Sequence, residues 1–257
     1  MNLNVAGGEI YYETMGAGSP IIFLHDGLIH SAGFDSQFEF FARAHTVVRY
    51  DRLGYGKSKI PVADYSDVEI LKALYAHLKI EQAILLGGSA GGQLAIDFAL
   101  AYPSQVKALV LVGAAIRGMV WTDHSYYRGW RNTFPEKEDE WFEFWTNDPY
   151  FIAPENESAR QFMRDLLRQY PHNLIRFDVE RLDKNLESIK RLSEIHTSTL
   201  VLIGEHDIPD NHAQAGILQY GIPNAEREII AHSGHVPYIE QAQKFNELVA
   251  AFLEKHK

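Results

Sequence analysis

A serine stands between two glycines in the sequence Gly-Gly-Ser-Ala-Gly at 87–91, which has the form Gly-x-Ser-x-Gly. The apolar run before it, 83–86, predicts a buried strand, and 93–102 after it predicts a helix that Pro103 ends. A chain that turns from strand to helix in so few residues strains its middle residue and crowds the positions two before and two after, which favours glycine there. The turn lifts Ser89 Oγ above the strand end, where the amides of the next helix also point. We therefore predict that Ser89 is a nucleophile. The alternative, a flexible Gly/Ser linker, does not suit a position between a buried strand and an amphipathic helix.

The elements that would position Ser89 alternate along the chain. Apolar strands are predicted at 20–24, 45–51, 83–86, 106–114, 200–204 and 228–231, with antiparallel edge strands around 9–14. A helix opens at Ser66 with a capping box, and a last helix covers 238–254. Alternating strands and helices indicate a parallel sheet with helices on both faces. Ligands bind such sheets beyond the carboxyl ends of the strands, where Ser89 and Gly27 both fall.

Composition limits the function classes. The 257 residues suit one large α/β domain, or one domain with an insertion, and 46% hydrophobic residues supply a core. The net charge of −10 and the absence of a basic cluster argue against a nucleic-acid partner. The sequence has no cysteine, which excludes disulfides and thiol chemistry and fits a reducing compartment. No signal-peptide core or membrane-length apolar run is present, so we expect a soluble, cytoplasmic protein with no membrane partner.

Four motifs in order resemble those of the α/β-hydrolase family. Along the chain they are His-Asp-Gly at 25–27, Asp-x-x-Gly-x-Gly-x-Ser at 51–58, the serine turn at 87–91, and the pair formed by Gly-x-x-Asp at 204–207 and Gly-His at 234–235. The resemblance covers nearly the whole chain. It implies an α/β-hydrolase fold, with a mostly parallel eight-stranded sheet, helices on both faces and a helical cap insertion. It also implies a core of 1–116 and 186–257 and a cap of 117–185.

The resemblance assigns site residues by position. Asp207 and His235 would complete a triad with Ser89, and Glu205, Asp210 and His232 are weaker alternatives. The backbone amides of Gly27 and Ala90 would form the oxyanion hole. His25 is expected to be structural. Asp26 stands where the family has glycine, and it is either a substrate-pocket residue or a turn aspartate that bonds nearby amides.

The cap would supply the substrate pocket. All four tryptophans lie in it, and Trp121, Trp141 and Trp145 are candidate pocket residues, although such side chains also hold a cap together. Arginines 160, 164 and 168 recur at every fourth position beside apolar residues. They form either a solvated helix edge or a source of a guanidinium for a substrate carboxylate.

The expected activity is serine hydrolysis of a small carboxylic ester or lactone, with no metal or organic cofactor. The expected partner is an apolar or aromatic small molecule, and a homodimer is left open. Similar chains instead cleave carbon–carbon bonds in ring-fission products, cleave amides or catalyse perhydrolysis. A candidate from another class is a ligand-binding signalling receptor with slow turnover.

Overall fold

The central sheet is mostly parallel, as predicted. The computed structural model describes residues 1–120, 138–170 and 179–256. Within these ranges eight strands form one sheet in the order β1-β2-β4-β3-β5-β6-β7-β8. Only the pairs β1–β2 and β2–β4 are antiparallel. The strands are β1 (Asn2–Val5), β2 (Gly8–Met15), β3 (Pro20–Leu24), β4 (Thr46–Tyr50), β5 (Ala83–Gly88), β6 (Val106–Val112), β7 (Thr199–Gly204) and β8 (Ala225–Ile230).

Helices connect the strands. In the described part of the chain the α-helices are α1 (Asp35–Phe41), α2 (Asp67–Leu78), α3 (Ala90–Ala101), α4 (Glu138–Asn147), α5 (Glu157–Gln169), α6 (Pro209–Gly221), α7 (Pro237–Glu240) and α8 (Ala242–Lys255). Short 3₁₀ helices occur at Ser31–Phe34, Pro103–Gln105, Leu182–Asn185 and Ser188–Glu194. The oxygen of Ser66 accepts the Glu69 amide at 3.1 Å, which is one half of the predicted capping box. The Glu69 carboxylate accepts the Tyr102 hydroxyl at 2.6 Å.

The core has one apolar cluster on each face of the sheet. Neighbouring residues of one strand point to opposite faces, and Leu85 belongs to one cluster while Leu86 belongs to the other. The first cluster includes residues of α2, α3 and α6, and the second includes residues of α1 and α8. Burying each large aliphatic side chain contributes about 1.5–3 kcal/mol. The prediction of helices on both faces is confirmed.

Helices α4 and α5 lie between β6 and β7 in the sequence and pack into the second cluster through Trp141, Trp145 and Met163. They occupy the position of the predicted cap. The division into a core of 1–116 and 186–257 and a cap of 117–185 stays a prediction.

The last helix differs from the prediction. The single helix expected over 238–254 is two helices, α7 and α8, because Gln241 between them is non-helical, with φ −127° and ψ 47°. The Gln241 side chain donates to the carbonyl of His232 at 3.0 Å, which anchors the break to the loop before α7.

Candidate active site

Ser89 lies at the turn between β5 and α3. Its backbone has φ 49° and ψ −112°, a conformation that side-chain-bearing residues rarely adopt. A Cβ on Gly87 would come within 3.0 Å of the Gly91 carbonyl, and a Cβ on Gly91 would meet the Leu24 carbonyl as closely. A side chain at either position would clash with backbone atoms, so both positions require glycine. This is the crowding that the spacing of the glycines around Ser89 predicts.

Asp207 and His235 contact each other at the ends of β7 and β8. His235 Nδ1 lies 2.8 Å from Asp207 Oδ2, and the Asp207 side chain is 1% exposed. Asp207 Oδ1 accepts the Ile208 amide at 2.8 Å and Asn211 Nδ2 at 2.7 Å. A carboxylate with three donors stays fixed, and it orients the imidazole.

The charge of Asp207 also sets the protonation of His235. Burial lowers the pKa of His235, but the negative charge of Asp207 and the hydrogen bond to it raise the pKa above its usual value overall. Two of the alternative residues, His232 and Glu205, have other partners. His232 pairs with Glu155 at 3.2 Å, and Glu205 accepts the His232 amide at 3.1 Å. Asp210 is buried.

Two side chains near this pair were missed by the sequence reasoning. Asn211 Nδ2 lies 3.0 Å from His235 Nδ1 as well as bonding Asp207. Gln214 holds Asn211 in place, because its Nε2 donates to Asn211 Oδ1 at 3.2 Å and its Oε1 accepts the Ile116 amide at 2.8 Å. The sequence signal was weak, since an asparagine and a glutamine on a helix are usually solvent-facing.

Gly113, just after β6, links Ser89 to the His235–Asp207 pair. A Cβ on Gly113 would lie 3.0 Å from His235 Cε1 and Nδ1 and 3.2 Å from Asp207 Oδ2. Next to it, the Val112 carbonyl accepts the Ser89 amide at 2.8 Å. The backbone at 112–113 thus contacts both the serine turn and the His235–Asp207 pair.

Gly27 and Ala90, the candidate oxyanion residues, are neighbours. A Cβ on Gly27 would lie 3.6 Å from the Ala90 Cβ. Ala90 is the first residue of α3, where backbone amides lack helical partners and the helix dipole favours negative charge.

Asp26 is buried in a turn, with 2% exposure. Its Oδ1 accepts the amides of Leu28 at 2.6 Å and Ile29 at 2.9 Å, and its Oδ2 accepts the Tyr238 hydroxyl at 2.9 Å. Three protein donors thus already occupy its oxygens, which favours the turn role over substrate contact.

His25 lies beneath the same turn. Its Nδ1–H donates to the Asp26 carbonyl at 2.8 Å, and its Nε2 accepts the Arg52 amide at 2.9 Å. Burial, together with the charge of Arg52, holds the pKa of His25 well below its usual value. A neutral imidazole that is hydrogen-bonded at both nitrogens stabilises the turn, which is the structural role expected of His25.

Two of the three candidate pocket tryptophans belong to the core. Trp141 and Trp145 are 1% and 7% exposed, and their ring centroids are 5.6 Å apart. Trp145 lies 5.4 Å from Phe151, whose ring is 5.6 Å from that of His235. Of the three rings of Trp141, Trp145 and Phe151, that of Phe151 contacts His235. Phe151 was not among the residues selected from the sequence. Trp121 lies outside the described residues.

The arginine row joins α5 to α4. Arg160 bonds the Thr146 carbonyl at 3.0 Å and Glu157 at 2.6 Å. Arg164 bonds Asn147 at 3.0 Å, and Arg168 lies 3.5 Å from Glu143. Each of these guanidiniums pairs with groups of the two helices. Arg168 is half exposed, as a solvated helix edge predicts, whereas the side chains of Arg160 and Arg164 are only 13% and 19% exposed.

Within 1–120, 138–170 and 179–256, no group of three or more histidine and acidic side chains is placed to hold a metal ion. The helices of these ranges include none whose length and apolar character would let it cross a membrane.

The chain is similar to known proteins in both sequence and fold. Residues 20–242 match the family model of the alpha/beta hydrolase fold. The chain is 27% identical to the 2-hydroxy-6-oxo-6-phenylhexa-2,4-dienoate hydrolase of Comamonas testosteroni, over 96% of this chain and 91% of that one. A thermophilic esterase from Thermogutta terrifontis superposes with a TM-score of 0.84 at 20% identity, covering all of both chains. Est816, an N-acyl homoserine lactone degrading enzyme, superposes with a TM-score of 0.76 at 25% identity, covering 98% of this chain and 100% of that one.

Proposed function

Because this chain belongs to the α/β-hydrolase fold family, we propose that it is a serine hydrolase that cleaves a small carboxylic ester or lactone. The observation that supports this most is the 2.8 Å contact between His235 and Asp207, beside the backbone segment that also bonds the serine turn. A hydroxyl is a weak nucleophile near neutral pH and needs a positioned base.

In the proposed mechanism His235 is that base. Its Nδ1–H donates to Asp207, so the Nε2 lone pair accepts the Ser89 proton. Ser89 Oγ bonds to the substrate carbonyl carbon, and the carbonyl electrons move onto the oxygen. When the intermediate collapses, the leaving alkoxide takes the proton from His235 Nε2. In the resulting acyl-enzyme, water gives a proton to His235 Nε2 and adds to the carbonyl carbon. When this second intermediate collapses, the bond from that carbon to Ser89 Oγ breaks, Oγ takes the proton back from His235, and the carboxylic acid leaves.

The oxyanion would be stabilised by the amides of Gly27 and Ala90. Their adjacency and the position of Ala90 at the start of α3 support this role. Losing one such donor costs about 10²–10³ in rate. Phe151 beside His235 supports an apolar or aromatic substrate, beneath a cap formed by 117–185.

Carbon–carbon cleavage of a ring-fission product is the second candidate, supported by the dienoate hydrolase among the relatives. That reaction requires recognition of a substrate carboxylate. Arg160, Arg164 and Arg168 of the described cap are paired with α4 and α5, which supports the ester or lactone instead.

Steady-state hydrolysis of p-nitrophenyl esters of graded chain length tests the proposal, with a lactone and a phenyl dienoate in the same panel. We expect repeated turnover of an ester or lactone by the parent. Ser89→Ala and His235→Ala should each lose about 10⁴-fold or more. Ser104→Ala, an exposed serine, is the matched control and should keep full activity.

Three outcomes would redirect the proposal. Turnover of the dienoate alone would establish carbon–carbon cleavage. A single burst without further turnover would favour a ligand-binding receptor. Ser89→Ala at parental activity would refute Ser89 as the nucleophile.

A further inference from the structure

Glu240, the last residue of α7, contacts two separate parts of the chain. Its Oε1 accepts the amide of Gly234, the residue before His235, at 2.7 Å. Its Oε2 accepts the Ala153 amide and Asn156 Nδ2, both at 2.8 Å. One half-buried carboxylate therefore receives three donors, and it joins the His235 loop to the segment between α4 and α5.

The same two parts also meet directly. The His235 amide lies 3.0 Å from the Tyr150 carbonyl and 2.9 Å from the Phe151 carbonyl. A Cβ on Gly234 would lie only 2.6–2.7 Å from these two carbonyls, so the two backbones are in contact. Asn156 Nδ2 lies 2.8 Å from the His232 carbonyl as well.

We propose that Glu240 is a positioning residue, which fixes His235 by holding its loop against the segment 148–156. The role rests on the proposed function, in which His235 is the base. The segment 148–156 joins α4 to α5, so a change in how the predicted cap packs would change the position of His235 through this carboxylate. No other described side chain bonds both Gly234 and Ala153.

The carboxylate suits this role better than an amide would. All three of its partners are donors, and a glutamine would turn its own NH₂ group towards at least one of them. A buried donor left without an acceptor is costly, so the loop would shift to regain one.

Glu240 also acts on His235 by its charge. Burial lowers the pKa of His235, and the charges that raise it come from Asp207 after β7, Asp26 after β3 and Glu240 on α7. Removing the charge of Glu240 should therefore lower the pKa of His235, whereas removing the neutral Asn156 side chain should not.

The test compares Glu240→Ala, Glu240→Gln and Asn156→Ala with the parent. Misplacing a catalytic group by about 1 Å costs up to about 10²-fold. We therefore expect kcat of Glu240→Ala to fall by about 10–100-fold with KM nearly unchanged, and Glu240→Gln to fall less. Asn156→Ala should lower kcat by a smaller factor than Glu240→Ala does. The control is Glu247→Ala on α8, an exposed carboxylate that accepts only Gln243 among the described side chains.

The acid limb of kcat/KM and the titration of the His235 imidazole by NMR separate positioning from stability. Both should move to lower pH in the two Glu240 variants and stay in place in Asn156→Ala and Glu247→Ala. Parental kcat and an unmoved titration in folded Glu240→Gln would overturn the proposal. If the parent hydrolyses no ester, the proposed function fails, and the imidazole titration still tests the role of Glu240.

Discussion

Replacing Asp26 tests whether this residue builds the turn or touches substrate. Asp26→Ala removes the acceptor of the Leu28 and Ile29 amides and of the Tyr238 hydroxyl. Asp26→Asn keeps one oxygen for the two amides, and its NH₂ can donate to the hydroxyl, which accepts as well as donates. The pair of variants therefore separates loss of the turn from loss of the charge.

The contacts set the size of the effect. Each buried group left without a partner costs about 1–3 kcal/mol, and the Tyr238 hydroxyl can rotate towards another acceptor. We therefore expect Asp26→Ala to lower the free energy of unfolding by about 2–6 kcal/mol, the cost of the two amides. Gly27 follows Asp26 directly, so a displaced turn should also reduce kcat by about 10²-fold, the effect of one oxyanion donor. Asp26→Asn should lose about 1 kcal/mol and keep kcat within about threefold.

Urea unfolding and ester kinetics measure these effects. Asp165→Ala on α5, whose exposed carboxylate accepts Gln161 at 3.0 Å, serves as the control and should match the parent. Asp26→Asn that is as unstable as Asp26→Ala would refute the turn argument. Asp26→Asn that is fully stable but has a strongly raised KM would show that the carboxylate contacts substrate.

Two further predictions concern the imidazole. Gly113→Ala should lower kcat by about 10²-fold, because its Cβ would press on His235 at 3.0 Å and its φ of 49° disfavours a side chain. Gly216→Ala in α6, where a Cβ meets only an Arg227 nitrogen at 3.8 Å, should be neutral, and equal activity of both variants would refute this reasoning. The base must be neutral and the pKa of His235 is raised, so kcat/KM should fall with acidity from a pH above about 6.5. Asp207→Asn should move that limb to lower pH and reduce kcat by about 10⁴-fold, and a limb that does not move would contradict the role of the Asp207 charge.

The sequence predicted what depends on local sterics and chain order. The serine turn could be predicted because crowding within one short turn requires glycine at positions 87 and 91. The strands were readable because both faces of the sheet are covered and the runs are apolar. The strand predicted at 228–231 instead begins at Ala225, because this edge strand is polar and partly exposed and lacks the apolar signal.

What the sequence did not predict depends on contacts between distant segments. Asn211, Gly113 and Glu240 matter through partners on other elements, and none has a local pattern that reveals them. The break at Gln241 similarly follows its bond to His232. Asp26 was ambiguous because its third donor, Tyr238, lies 212 positions away in the chain.

The order of strands in the sheet has a consequence for how the protein acquires activity during folding. The proposed site takes residues from the ends of β3, β5, β7 and β8, and the bond from Tyr238 to Asp26 spans 212 positions. Contacts of such long sequence separation form slowly, since much chain must be ordered before they exist. A fragment that ends before α7 lacks Tyr238, which bonds Asp26, and Glu240, which bonds the amide before His235. A ribosome-bound chain without its last residues should therefore be inactive. Recovery of hydrolysis after dilution from urea should therefore coincide with the slowest refolding phase.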